Sequence, residues 1–379
     1  MVIFDLTRKF HKFFLKFLLA IFSIFIGLLL AEGIMRIDGR YSDIANTEIG
    51  GDLKIWSRSP NSIEYKNHPD LGKKISINFD EFGSRKSKFN PSPNKAIYGF
   101  FGDSFTENRR IENPYTFSEL LNEKNPDKFF YNFGVDGYGI EQSYQRWIEV
   151  KDKIDINNVI YVFCSNDLRN TYEARIFDIE LLKKGKLNNI VDVQIPWYIK
   201  FLSGSHLTYL YLEARFKAQI LITKLSLSDK LGDKYSKAAK NHGERFHDSF
   251  ADSILLDYLN TDPNAKTLYY ANHYRNVLNH WSKSVEENGG KFHTFILPRD
   301  TDISLAKKLI PPNIKTHYIG TNSKYDLLQN HSWSFKNDGH WNEYGNLSAA
   351  ISIDNYINGN NFAEQKFSDK LNKINNLYK

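Results

Sequence analysis

Four short clusters in this 379-residue chain hold side chains of the types that build and serve an activated nucleophile. The first is Gly102-Asp103-Ser104-Phe105-Thr106, in which a hydroxyl directly follows a glycine-containing turn. A serine hydroxyl attacks poorly until a neighbouring base takes its proton. His340, in Asp338-Gly339-His340-Trp341-Asn342, is the best candidate base. Asp338 stands two residues before it, and in an extended or turn segment side chains at i and i+2 share a side, so the carboxylate can reach the ring and fix its tautomer. Of the eleven histidines, only His340 has an acidic residue at that spacing on its N-terminal side. Two further clusters offer hydrogen-bond donors. In Asn132-Phe133-Gly134-Val135-Asp136-Gly137-Tyr138-Gly139, Gly137 lacks a side chain, so its N–H can approach a substrate oxygen closely. In Ser165-Asn166-Asp167, Asn166 offers an amide. With the Ser104 N–H these donors would form an oxyanion hole, in which one donor is typically worth about 10²–10³ in kcat. The chemistry this set can do is acyl transfer through a serine ester.

Each residue also has a plainer reading: a helix cap for Ser104, turn geometry for Gly137 and Asn166, a surface ring for His340. The positions of the clusters decide between the readings. Residues 96–101 (AIYGFF), 129–133, 159–164 (VIYVFC) and 292–297 (FHTFIL) are short apolar runs of strand length, and helical spacing recurs over 114–122, 140–153, 274–285 and 344–356. Strands alternating with helices imply crossover units and a parallel sheet covered on both faces, hence an α/β fold. In such sheets ligands bind outside the carboxyl ends of the strands. Three clusters sit just there, and the fourth precedes the last helix.

The segment ahead of this domain decides the compartment. Residues 13–31 (FFLKFLLAIFSIFIGLLLA) are apolar apart from Lys16, close to the roughly 20 residues needed to span a bilayer. Arg8, Lys9, Lys12 and Lys16 lie on or before the run, and charges of mixed sign (Glu32, Arg36, Asp38, Arg40) follow it, which predicts a cytoplasmic N-terminus and an extracytoplasmic remainder, periplasmic or at the cell surface. A cleaved signal peptide is the competing reading; the run exceeds the usual core of roughly 7–15 residues, and no small-x-small site follows. Residues 1–40 therefore read as a membrane anchor, 41–94 as a polar linker or collar with no functional motif, and 95–379 as the catalytic domain with a helical insertion at about 173–265. The charge balance of 50 basic to 44 acidic residues is too even for a nucleic-acid partner, and the single cysteine, Cys164, forms neither an intramolecular disulfide nor a cysteine-rich metal site. Nothing in the proposed chemistry needs a metal or organic cofactor, and oligomeric state is not readable here.

In order and spacing, the four clusters resemble the SGNH (GDSL-type) hydrolases: GDSFT as the first block, the glycine of NFGVDGYG as the second, the asparagine of SNDL as the third, and the aspartate and histidine of DGHWNEYG as the last. The resemblance covers about residues 95–358. It implies Ser104 as nucleophile, Gly137 and Asn166 as oxyanion donors, His340 as base and Asp338 as its orienting acid, on a three-layer flavodoxin-like fold with a five-stranded parallel sheet. A single N-terminal span with the site outside is similar to anchored members that act on envelope polysaccharides, which implies an acylated carbohydrate or other ester as substrate. Two positions depart from the pattern. Ser165 stands where the third block usually has glycine, and Asn337 stands three before the histidine, where the aspartate usually lies. The shorter Asp338-x-His340-Trp341 arrangement is similar to that of alginate O-acetyltransferase relatives, so the resemblance admits three readings: an esterase, an O-acetyltransferase, and an anchored glycan-binding protein without catalysis.

Overall fold

Runs of aromatic and β-branched residues that pack on both sides become strands of a parallel sheet, because only burial on two faces accommodates them. The computed structural model describes residues 2–38, 47–49, 56–168, 170, 205, 207, 210, 214, 265–336, 338–359 and 363–379. They belong to two compact units, one of Met1–Thr47 with Ile195–Gly232, the other of Glu48–Gln194 with Asp233–Lys379.

In the first unit, α1 (Val2–Asp38) contains the stretch His11–Met35, with mean hydropathy 2.6 and none of its most apolar window buried in the protein. That helix is long and apolar enough to cross a membrane. Near its end Glu32 accepts hydrogen bonds from the Ser205 hydroxyl (2.9 Å) and the Leu207 N–H (3.0 Å).

The second unit begins with β1 (Thr47–Ile49, its first residue aside) paired to β2 (Trp56–Arg58), followed by the antiparallel hairpin of β3 (Ile63–Asn67) and β4 (Lys74–Asn78), in register Tyr65 opposite Ser76. The main sheet has the order β6-β5-β7-β8-β9, all parallel: β5 (Ala96–Gly102), β6 (Lys128–Asn132), β7 (Asn158–Phe163), β8 (Lys291–Ile296) and β9 (Thr316–Tyr318). Alternation along the strands sends side chains to opposite faces. Phe101, Val159, Tyr161 and Phe163 join one apolar cluster with Trp147 of α4 (Ile140–Lys151), Trp281 of α5 (Ala265–Glu287) and Leu305 of α6 (Asp300–Leu309). Phe100, Ile160, Val162 and Cys164 join the other with Leu120 of α3 (Phe117–Lys124) and Leu347 of α7 (Glu343–Asn358), above which α8 (Ala363–Lys366) and α9 (Ser368–Leu377) pack through Phe367 and Ile374. Fully burying one such aromatic contributes about 1.5–3 kcal/mol. A four-residue α2 (Ser104–Glu107) follows β5.

The chain leaves β5 for β6 on one side and returns to β7 on the other, so the order reverses at the carboxyl end of β5. That switch point opens a crevice, and Ser104 lies on it.

The four strands and four helices read from the sequence are present, with ends moved by a few residues except at α5, which starts nine residues earlier, at Ala265. β1 to β4, β9, α6, α8 and α9 are additional. The stretch taken as linker or collar, 41–94, is from residue 56 onward folded into the same unit as the sheet. Two of its charged residues are buried in ion pairs, Arg58 (4% exposed) with Glu107 and Glu64 (1%) with Arg109. The expected insertion at 173–265 falls almost wholly outside the described residues.

Candidate active site

The turn out of β5 sets the nucleophile. Gly102 has φ +156°, and a Cβ there would stand 2.4 Å from Thr106 Oγ1 and 2.8 Å from the Val162 carbonyl, so the chain can fold this tightly only without a side chain. Asp103 caps α2 by accepting the Phe105 N–H (2.9 Å), and Ser104 is the first helical residue, 6% exposed.

His340 is 236 positions away in sequence, yet its Nε2 lies 2.7 Å from Ser104 Oγ. Its Nδ1 is hydrogen bonded to Asp338 Oδ1, which also accepts the His340 backbone N–H at 2.9 Å. A carboxylate only accepts, so Nδ1 carries the proton and Nε2 presents a lone pair to the serine O–H. Burial pushes Asp338 up, but the hydrogen bond from His340 and the charge of Arg110 outweigh it and hold the carboxyl below its ordinary range. Arg110 Nε donates to Asp338 Oδ2 at 2.6 Å. The imidazole stacks on the Phe105 ring at 4.7 Å between centroids, and the fully buried Trp341 packs edge-on against the same ring at 5.5 Å.

The histidine loop is clamped from two sides. Phe335 N–H donates to the His340 carbonyl (3.1 Å), and Asn342 N–H to the Trp333 carbonyl (3.2 Å). Asn342 caps α7 by accepting the Gly345 N–H (3.0 Å). Next to it, buried Glu343 accepts from His68 Nε2 at 3.0 Å and from the Tyr378 hydroxyl at 2.6 Å. Because His68 Nδ1 accepts the Leu71 N–H (3.1 Å), its Nε2 is the protonated nitrogen.

Asn166 reaches the same turn: one amide proton goes to Asp103 Oδ2 at 3.0 Å. Burial pushes the Asp103 carboxyl up, against the hydrogen bonds from Phe105 and Asn166. Gly137 lies in the loop after β6 with φ +82°, a left-handed conformation that glycine adopts without strain. Among the described residues, neither its N–H nor that of Ser104 donates to a protein acceptor. The loop is tied to the nucleophile helix, since the Asp136 N–H donates to Glu107 Oε2 at 2.6 Å.

Beneath this tie lies a charge network that the sequence did not disclose. Glu107 takes Arg58 in two hydrogen bonds, Nε to Oε1 at 2.7 Å and Nη2 to Oε2 at 3.1 Å. Arg109 bridges Glu64 (3.1 Å) and Asp136 (3.2 Å). Burial pushes Glu107 up, yet the charges of Arg58 and Arg109 bring it below its usual value. Arg299 also lies over the Phe105 ring, at 4.9 Å, while bonded to Asp302 and to Ser165 Oγ (3.3 Å).

Thus Ser104, His340 and Asp338 form one hydrogen-bonded series, Asn166 meets it through Asp103, and Gly137 meets it through the loop on Glu107. Asn337 lies outside the described residues. Arg110, Phe105 and Glu107 are the site residues that sequence reasoning missed. Phe105 and Glu107 follow the nucleophile within α2, which was the available signal; Arg110 had none. The arrangement can take a proton from a hydroxyl, keep the resulting imidazolium beside a carboxylate, and offer N–H donors nearby. No known family model matches this chain, and no curated protein matches it either.

Proposed function

We propose that the protein is a membrane-anchored serine hydrolase that cleaves O-acyl esters through an acyl-enzyme, in the manner of the SGNH hydrolases and on their three-layer flavodoxin-like fold. The observation that carries this reading is the Ser104 Oγ to His340 Nε2 contact of 2.7 Å, backed by Asp338 on the other ring nitrogen. The strand order β6-β5-β7-β8-β9, which is 2-1-3-4-5 counted along the main sheet, supports the fold assignment.

In the proposed reaction, Ser104 Oγ attacks the acyl carbonyl as His340 Nε2 takes its proton. Asp338 faces the imidazolium so formed. The oxyanion is received by the Ser104 and Gly137 N–H groups and by the amide proton of Asn166 not committed to Asp103. His340 then gives its proton to the departing alkoxide. Water then attacks the acyl carbonyl as the same nitrogen takes its proton; the tetrahedral adduct collapses with cleavage of the bond to Ser104 Oγ, which recovers a proton from His340 as the carboxylic acid leaves. The apolar α1, with basic residues ahead of it, supports a cytoplasmic N-terminus and an extracytoplasmic domain, where acylated envelope carbohydrate is the substrate class in reach.

A second reading, transfer of the acyl group to a sugar hydroxyl instead of water, is favoured by the two-residue spacing of Asp338 and His340, which closes a direct contact here. Turnover of a small acetyl ester tests both. Ser104→Ala is expected to abolish it while the melting temperature stays within about 2 °C, since the site tolerates a smaller side chain. An unchanged rate would reject both readings.

A further inference from the structure

Asp338 has two carboxylate oxygens, and the histidine uses one. Oδ1 receives the His340 backbone N–H at 2.9 Å and the ring Nδ1–H. Oδ2 receives Arg110 Nε at 2.6 Å and has no other protein partner among the described residues. Gly339, next in the chain, has nothing within 4 Å of where a Cβ would stand, so no neighbouring group presses on the loop at that point. Arg110 comes from the segment just after the nucleophile helix, six positions beyond Ser104. Its neighbour Arg109 anchors that segment in a buried pair with Glu64 and a partly exposed one with Asp136.

We infer that Arg110 is a positioning residue: by gripping the outer oxygen of Asp338 it ties the aspartate–histidine loop to the nucleophile segment and keeps His340 aligned on Ser104. The two-residue spacing makes this grip necessary. A carboxylate folded back onto its own loop is held at Oδ1 from one side only, and an outside donor at Oδ2 stops it from rotating about the bond to its β-carbon. The pair is partly open, with Arg110 21% and Asp338 28% exposed, so it lies between a surface ion pair and a buried one. A charge-assisted hydrogen bond in that setting corresponds to about tenfold in rate.

The kinetic consequence rests on the hydrolase reading; the positional one does not. In full-length, detergent-solubilised protein with p-nitrophenyl acetate as probe, Arg110→Ala is expected to lower kcat about tenfold and leave KM within about twofold. In an Asp338→Asn background the same substitution is expected to cost nothing further, because the group it acts through is already lost. Arg110→Lys, which keeps the charge but not the geometry of Nε, is expected to recover part of the loss. Independently of turnover, the downfield imidazole Nδ1–H proton resonance, assigned by its absence in His340→Ala, is expected to shift or broaden in Arg110→Ala. An unmoved resonance, or a loss that adds fully to that of Asp338→Asn, would overturn the inference. If Ser104→Ala retains wild-type turnover, the hydrolase reading fails, and the resonance alone decides the role of Arg110.

Discussion

Glu107→Gln removes one charge and almost no volume from beneath the nucleophile. Glu107 is 1% exposed and Arg58 4%, and the pair shares two hydrogen bonds of 2.7 and 3.1 Å. Around it stand three guanidiniums, those of Arg58, Arg85 and Arg109, and three carboxylates, those of Glu64, Glu107 and Asp136. Burial has already lowered Arg85 to about 10, a sign of how poorly water reaches this cluster. Neutralising Glu107 leaves one cation uncompensated, and breaking a buried pair from one side costs about 3–5 kcal/mol. For a domain of this size that corresponds to a melting temperature lower by about 5–8 °C. Glutamine also replaces one acceptor that held Arg58 or the Asp136 N–H by a donor, so the Gly137 loop loses a tether and ester turnover falls as well. Differential scanning calorimetry of the solubilised protein reads the first effect, and acetyl-ester kinetics the second. The paired variant Arg58→Met/Glu107→Gln is expected to regain much of the stability, since replacing both partners removes the stranded charge. A melting temperature within 2 °C of wild type for Glu107→Gln alone would refute the account of this network.

Acid stability is expected to fall in two stages. His293 is lowered to about 4, chiefly by burial, so its neutral form is the native one; protons that bind the unfolded chain below 6.5 but not the folded chain reduce stability as pH drops from 6.5 towards 4. Glu107 is lowered, so its contribution is complete above its ordinary value of 4.5 and is lost only as pH falls further. Melting curves of His293→Phe against pH are expected to show a smaller first stage, what remains coming from His280 and His317, which burial also lowers; two curves that coincide would reject the assignment. If the second catalytic reading holds, added oligosaccharide diverts acetyl from acetate to sugar in proportion to its concentration, and a product ratio insensitive to sugar rejects transfer. For α1, alkaline carbonate washing is expected to leave the full chain in the membrane fraction, and its release would contradict an uncleaved anchor.

The strands of the main sheet were legible because they are apolar on both faces: VIYVFC of β7 is buried throughout, and such a run has few other fates. β9, three residues with Tyr318 47% exposed, offers too little pattern to be read. The hairpin of β3 and β4 was missed for a different reason. Besides a small apolar cluster of Ile75, Ile77 and Phe79, its buried contacts are polar, Glu64 to Arg109 and His68 to Glu343, and hydropathy scores such residues as linker although Glu64 and His68 are 1% exposed. Within the site, the contact of Asp338 with His340 follows from local geometry and was readable from a spacing of two. The approach of Ser104 to His340 was readable only as a consequence of sheet topology, since both clusters lie where strand ends converge. Arg110 could not be read at all, because its partner is 228 residues away and an arginine next to another arginine carries no positional signal.

The central claim is that Ser104 is a nucleophile made reactive by His340. Reacting the folded, solubilised protein with a fluorophosphonate and mapping the adduct by mass spectrometry tests it most directly. The account predicts a single modified serine at position 104, with labelling slowed at least about a hundredfold in His340→Ala, as expected when the base is lost. Folded protein that stays unlabelled at Ser104, or labels equally fast without the imidazole, would contradict it.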